Sequence, residues 1–204
     1  AAETLDAVRV LGRHGSAHRA DLGDPSEACA LVGAVTDRHG RIDALVHCAG
    51  PYHRVDLMKE TVEGWRSMFD GNLHSLFYCA RAVAPQMIER RWGRIVAFSL
   101  VNADRLVAQP QLTAHYIAKA GVLALVRSLA KALAPHGITA NCISPGFVDS
   151  GGADADEIGR ILPTIPAGRT GTVKEAAATV AFLLGEDAAY INGGNIPLSG
   201  GWGI

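Results

Sequence analysis

Residues 42–48 read Ile-Asp-Ala-Leu-Val-His-Cys, a nearly continuous apolar run interrupted by one charge at Asp43. A strand with one wet face alternates polar and apolar residues, whereas an almost unbroken apolar run suits a parallel strand covered on both faces. Working outward, Arg94–Leu100 (RIVAFSL) and Ile138–Ser144 (ITANCIS) have the same character. Longer amphipathic segments lie between and around them. Their spacing predicts helices over Ser26–His39, ended by Gly40, over Glu63–Arg91, over Thr113–Pro135 and over Lys174–Leu184, with a last short strand at Asn195–Ser199. The second helix is entered after the capping-like Thr61-Val62-Glu63. It is expected to break near Asn72, since Asn competes for backbone hydrogen bonds and is unfavourable inside a helix. Strands alternating with helices mean βαβ crossovers. The expectation is an α/β fold with a doubly wound parallel sheet, Rossmann-type, in three layers (α/β/α), as one domain over residues 1–204.

Gly15–Asp21 also reads as a strand and behaves like the third of such a sheet, preceded only by a helix remnant at Ala1–Leu11. Doubly wound nucleotide folds place a Gly-rich phosphate-binding turn in the first strand–helix connection. No GxGxxG or TGxxxGxG occurs in these residues. The expectation is that an N-terminal βαβ unit of roughly 30 or more residues stands outside this sequence.

Hydrophobic residues make up 49% and charged residues 19% of the 204, which describes a folded chain with a sizeable core. Nineteen Lys and Arg nearly cancel 20 Asp and Glu, so the basic footprint of a nucleic-acid or anionic-membrane binder is missing. Cys29, Cys48, Cys79 and Cys142 are scattered with no CxxC pair, as reduced core cysteines are. The eight histidines form no HxxxH or HExxH pattern, so no metal site is expected. No run reaches the roughly 18 apolar residues of a membrane span, and Ala1–Arg9 lacks the basic start and apolar centre of a signal peptide. A cytoplasmic location is expected, with no nucleic-acid or membrane partner.

Several separated segments together resemble the short-chain dehydrogenase/reductase family, above all its 3-oxoacyl-carrier-protein reductase branch. Leu45–Gly50 (LVHCAG) is similar to the family's LVNNAG, Gly71-Asn72-Leu73 to its active-site Asn position, and His115–Gly121 (HYIAKAG) to YxxxKAG. Asn141–Ser150 (NCISPGFVDS) resembles NxIxPGxxxT, and Ile165–Arg169 (IPAGR), Ala181–Leu184 (AFLL) and Tyr190–Gly201 (YINGGNIPLSGG) resemble the family's C-terminal motifs. The resemblance runs from about Gly15 to the end. It implies cofactor contacts from Asp21 beside the adenine, from Ala49 and Gly50, from Lys119 on the ribose, and from Pro145, Gly146 and Ser150 around the nicotinamide. It implies catalytic roles for Asn72, Ser99, Lys119 and one of His115 and Tyr116.

In this family hydride passes between nicotinamide C4 and a carbonyl or alcohol carbon, and the protein moves the proton on oxygen. The sequence departs from the family pattern in four places. The residue four before Lys119 is His115, and Tyr116 is three before. On a helix of about 3.6 residues per turn both lie near the Lys119 face, about 100° apart, so only one can point at the substrate. If Lys119 is anchored by ribose contact, His115 takes the acid position and its neutral form is favoured by the nearby Lys⁺. Leu100 stands where the catalytic Ser is usual, with Ser99 one residue early and therefore on the opposite face of a strand. The loop Val101–Leu112 offers Asn102, Asp104 and Gln109 as substitutes. His47-Cys48 replaces Asn-Asn, and the substrate lid, Val148–Thr164, looks short and rich in Gly and Ala.

The resemblance implies reduction of a ketone, including a 3-oxoacyl thioester, to a secondary alcohol, with NADP(H) ahead of NAD(H). The substrate is a small-molecule carbonyl or alcohol, and the protein a homotetramer or homodimer. A dehydrogenase of secondary alcohols or sugars using NAD is a second reading, and a catalytically impaired member binding cofactor as sensor or scaffold a third.

Overall fold

A computed structural model describes residues 1–151 and 155–203, with nothing assigned to the side chains of residues 155–157. In chain order the elements are α1 (Ala2–Val10), α2 (Pro25–His39), β1 (Ala44–His47), α3 (Val62–Phe69), α4 (Ser75–Arg90), β2 (Gly93–Phe98), α5 (Thr113–Leu133), β3 (Ile138–Pro145), β4 (Val148–Asp149), α6 (Ala155–Ile161), β5 (Gly171–Thr172), α7 (Val173–Leu184) and β6 (Asn195–Leu198). The main sheet runs β1-β2-β3-β6 and every pairing is parallel. All four strands therefore end on the same side, which is where open α/β sheets place ligands.

One face of β2 and β3 is sealed by α4 and α5. Leu76, Ala80, Val83 and Met87 of α4 join Ile95 and Ala97 of β2 and Val122 and Val126 of α5 in one buried cluster. Each fully buried large aliphatic side chain contributes about 1.5–3 kcal/mol. Val96, Ile143 and Leu183 of α7 form the cluster on the opposite face, so the strands are dry on both sides and the three layers are in place.

Against the expectation from the sequence, the helical run from Val62 to Arg90 is not broken at Asn72 but accommodates it in a wider turn. Asp70–His74 forms a π-helical turn between α3 and α4, and Asn72 is fully buried within it. Such turns carry one residue more than an α turn and often sit at functional positions.

Gly15–Asp21 is not a strand. The run GSAHRAD has no β-branched or aromatic residue to fill a pleated surface, and it pairs with no strand among the described residues. It is held instead by polar contacts: Ser16 Oγ lies 3.0 Å from His39 Nε2 and 2.9 Å from His18 Nε2. A second feature absent from the sequence reading is the two-residue parallel ladder β4–β5, which ties the segment after β3 to the entrance of α7. Part of the expected lid, Val148–Thr164, lies outside the described residues.

Candidate active site at the strand ends

Just beyond β1 the chain passes through Ala49, which is half-buried, and Gly50. A side chain at Gly50 has nowhere to go, because its Cβ would collide with Asn72 Oδ1 and stand 3.5 Å from Lys119 Nζ. Glycine is required there for three segments to converge: the strand end, the π turn and α5.

The next residue, Pro51, supplies their meeting point. Asn72 Nδ2 donates to Pro51 O at 3.0 Å and to Met68 O at 2.9 Å, while Asn72 Oδ1 is buried without a partner. His115 Nδ1 lies 3.2 Å from the same Pro51 oxygen. Lys119, one helical turn after His115, is buried and donates to Phe98 O at 2.9 Å. Asn72, His115 and Lys119 are thus gathered around Gly50-Pro51.

Burial pulls the His115 pKa down to about 4, with Lys119 and then His53 pushing the same way against the Pro51 hydrogen bond. Burial also lowers that of Lys119 itself, with Cys142 and Cys48 opposing. At neutral pH His115 is uncharged. The sequence reading gave that direction and named the nearby Lys⁺ as its reason, but loss of hydration is the larger cause.

Tyr116 and Ser99 are employed elsewhere. Tyr116 is buried, donates its hydroxyl to Asn102 O at 2.6 Å, and accepts from Val107 N at 3.0 Å. It pins the loop after β2. Ser99 Oγ donates to Lys119 O at 2.7 Å and does not line the cavity described next. The one-residue offset has the consequence expected on a strand, since Leu100 faces the cavity in its place.

That cavity, of about 600 Å³, opens beside the cluster. Tyr52, Leu100, Phe147, Ile161 and Trp202 give it apolar and aromatic walls, and Asn102, Gln109 and Ser150 add polar groups. Asp104 is exposed and lines no part of it. Tyr52 bridges cavity and cluster, with its ring edge-on to that of His115 at 5.2 Å. Phe147 and Trp202 meet at 4.7 Å, so the C-terminal segment closes the far wall. Sequence reading gave these three aromatics no role, since Phe147 stands at a variable position of the Asn141–Ser150 motif and Tyr52 and Trp202 lie outside the quoted motifs.

The floor is set by β3 and β6. Val101 N donates to Pro145 O and Gly146 N to Leu198 O, and a Cβ on Gly146 would press on Ser199 at 3.1 Å. Asp21 sits away from this cavity, in a separate hollow of about 620 Å³ shared with Pro51 and Gly71. Its carboxylate accepts from Gly23 N at 2.9 Å.

The residues fit a nicotinamide cofactor. Lys119 spends one N–H on Phe98 O and has no other partner among the described residues, which leaves donors for ribose hydroxyls. Asn72 Oδ1 is a buried acceptor still unsatisfied, and such atoms call for a partner. Among the described residues no His, Cys, Asp and Glu are grouped so as to hold a metal, and no helix is long and apolar enough to cross a membrane.

Known proteins match this chain over nearly its whole length. The family model described as enoyl-(acyl carrier protein) reductase matches residues 2–203. The chain is 35% identical over 200 residues to the 3-oxoacyl-[acyl-carrier-protein] reductase of Staphylococcus aureus, covering 97% of this chain and 80% of that protein. It is 34% identical over 195 residues to the enzyme of that name from Escherichia coli, covering 94% and 79%. Among solved structures, a putative short-chain alcohol dehydrogenase from Sinorhizobium meliloti superposes with a TM-score of 0.92 at 29% identity, over 98% of this chain and 81% of that one. A putative gluconate dehydrogenase from Agrobacterium tumefaciens gives 0.90 at 28%, over 98% and 80%. With the parallel sheet, the Gly50–Asn72–Lys119 junction and these matches in agreement, the chain belongs to the short-chain dehydrogenase/reductase family.

Proposed function

We propose that this protein is an NAD(P)-dependent oxidoreductase that interconverts a ketone and a secondary alcohol, working as a ketone reductase on small carbonyl compounds that include 3-oxoacyl thioesters. The observation that carries the reading is the convergence of Asn72, His115 and Lys119 on Gly50-Pro51 at the strand ends. The likeness to two 3-oxoacyl-[acyl-carrier-protein] reductases supports the thioester, and the motif resemblance puts NADP(H) ahead of NAD(H). The bound cofactor supplies or accepts the hydride.

This chain's own residues do the rest. Lys119 would hold ribose hydroxyls of the cofactor with its remaining N–H groups, and Ala49, Gly50, Pro145, Gly146 and Ser150 would border its nicotinamide. Asp21 lies toward the adenine. The apolar walls of Tyr52, Leu100 and Phe147 exclude water and orient the carbon chain of the substrate. His115 handles the proton on the substrate oxygen, taking the position usually held by a Tyr. Tyr116 and Ser99 serve the scaffold. The assembly is a homotetramer or homodimer, and the location cytoplasmic.

Purified protein should consume NADPH, followed by its absorbance, when given an acetoacetyl thioester, and should do so faster than with NADH. Binding of either nucleotide without turnover of thioesters or simple ketones would favour the cofactor-binding scaffold instead.

A further inference from the structure

A carbonyl oxygen can only accept hydrogen bonds, and this fixes the protons around Pro51. Its oxygen lies 3.0 Å from Asn72 Nδ2 and 3.2 Å from His115 Nδ1, so both nitrogens must present N–H to it. In a neutral imidazole one ring nitrogen carries the proton and the other a lone pair. With Nδ1 protonated, Nε2 is the lone-pair nitrogen, and it meets no partner among the described residues.

We propose that the Pro51 carbonyl locks His115 as its Nδ1–H tautomer, making Nε2 a general base that takes the hydroxyl proton of a secondary alcohol, while ketone reduction by the same site starts from the imidazolium and quickens as pH falls. The proposal rests on the oxidoreductase reading above. In the forward step the alcohol O–H breaks and its proton forms N–H at Nε2. The carbinol C–H breaks, its hydride passing to an oxidised nicotinamide, and C=O forms. The imidazolium then returns its proton to water. Reduction needs that imidazolium at the start.

The surroundings disfavour the imidazolium. The Lys119 ammonium lies one turn along the same helix, and His53 approaches from the segment after Pro51. The Tyr52 ring stands edge-on. The carboxylate of Glu60 is taken by His53 at 2.7 Å. No carboxylate is among the groups acting on His115, so a peptide oxygen does the orienting that an Asp does beside a catalytic His in serine hydrolases, without the charge that would stabilise the proton. With burial added, a pKa of about 4 leaves roughly one molecule in 10³ protonated at pH 7. Asn72 acts here as a positioning residue, holding the shared oxygen in place through Nδ2.

Nitrogen NMR on the cofactor-free protein, with labelled histidine and the His115 signals identified by their loss in His115→Gln, tests the tautomer directly. The expected result is a protonated Nδ1 and a bare Nε2 from about pH 8 to below about pH 6, with the two forms mixing in Asn72→Ala. A protonated Nε2 in the neutral ring, a midpoint at the ordinary histidine value, or no change in Asn72→Ala would overturn the lock. Kinetics then test the base, using 1-phenylethanol with NADP⁺ and acetophenone with NADPH. Between about pH 6 and 8 the oxidation kcat/KM should be flat while that of reduction falls about tenfold per pH unit. A flat reduction profile with oxidation rising would overturn the assignment of the base. Absence of turnover in both directions, with the tautomer in place, would overturn the base and the proposed activity together while leaving the lock standing.

Discussion

Two buried histidines feel the charge of Lys119, and they differ in what they leave open. His47 ends β1, and its Nε2 lies 2.9 Å from Ser75 Oγ. Ser75 gives its own proton to Gly71 O, and the His47 ring is also hydrogen-bonded to its own backbone, so that ring is tied on more than one side. His115 is held through Nδ1 by Pro51 O. Both are pulled down to about 4, by burial first and Lys119 second. The charge state of the two rings is therefore the same, and burial sets it. The partner decides which nitrogen remains for chemistry, and only His115 stands beside the cavity through Tyr52.

The comparison breaks most visibly in turnover. His115→Ala should lower kcat by about 10²–10⁴-fold, the usual worth of a proton-transferring group. His47→Gln should stay within a few-fold of the parent while lowering the melting temperature, because the Ser75 contact and its packing are disturbed. Equal losses from both variants in steady-state rates would remove the distinction.

A smaller effect follows from what the two rings share. Their folded pKa, about 4, lies below the unfolded value of 6.5. The unfolded chain therefore binds protons first as pH falls, and stability present above pH 6.5 is lost progressively toward pH 4. Each ring contributes at most about 3 kcal/mol across that window. Denaturant melts at a series of pH values should show the loss, and His47→Gln should remove about half of it. A stability that stays level down to pH 4 would contradict the shared depression.

The smallest effects concern two hydroxyls near the site. Tyr116→Phe removes both contacts that pin the loop after β2 and should cost about 1–3 kcal/mol. Because that loop carries Asn102 on the cavity wall, KM should rise more than kcat falls. Ser99→Ala removes one bond to Lys119 O and should cost about 1 kcal/mol, with turnover unchanged within twofold. A collapse of kcat in Ser99→Ala would return Ser99 to the substrate.

These outcomes bear on what the sequence made legible. The two inner strands, β2 and β3, were readable because burial on both faces leaves a one-dimensional record, an apolar run such as Ile95–Ala97, whereas β1 is the edge of the described sheet and leaves Val46 exposed. An irregularity at Asn72 was readable because Asn is out of place in a helix unless something binds it, but it took the form of a π turn and not of a break. Gly15–Asp21 misled, since its position in the expected strand order suggested a strand that its residues could not fill. The choice between His115 and Tyr116 was open at the level of helix spacing. It turns on Pro51 O and Asn102 O, two backbone oxygens that leave no mark in composition. Tyr52, Phe147 and Trp202 come together from three distant segments, and no local pattern announces such a meeting.

The π turn at Asp70–His74 has one more consequence. Since it holds one residue beyond an α turn, it works as a phase shifter between α3 and α4. Taking out a single residue there would let the two helices fuse into one continuous α-helix, but the rotation of about 100° per residue would then swing the buried row Leu76, Ala80, Val83 and Met87 off β2. The helix faces and Asn72 are thus encoded jointly. The chain can lose the insertion only by re-spacing its whole apolar stripe, so the site's geometry is insured by the core beneath it.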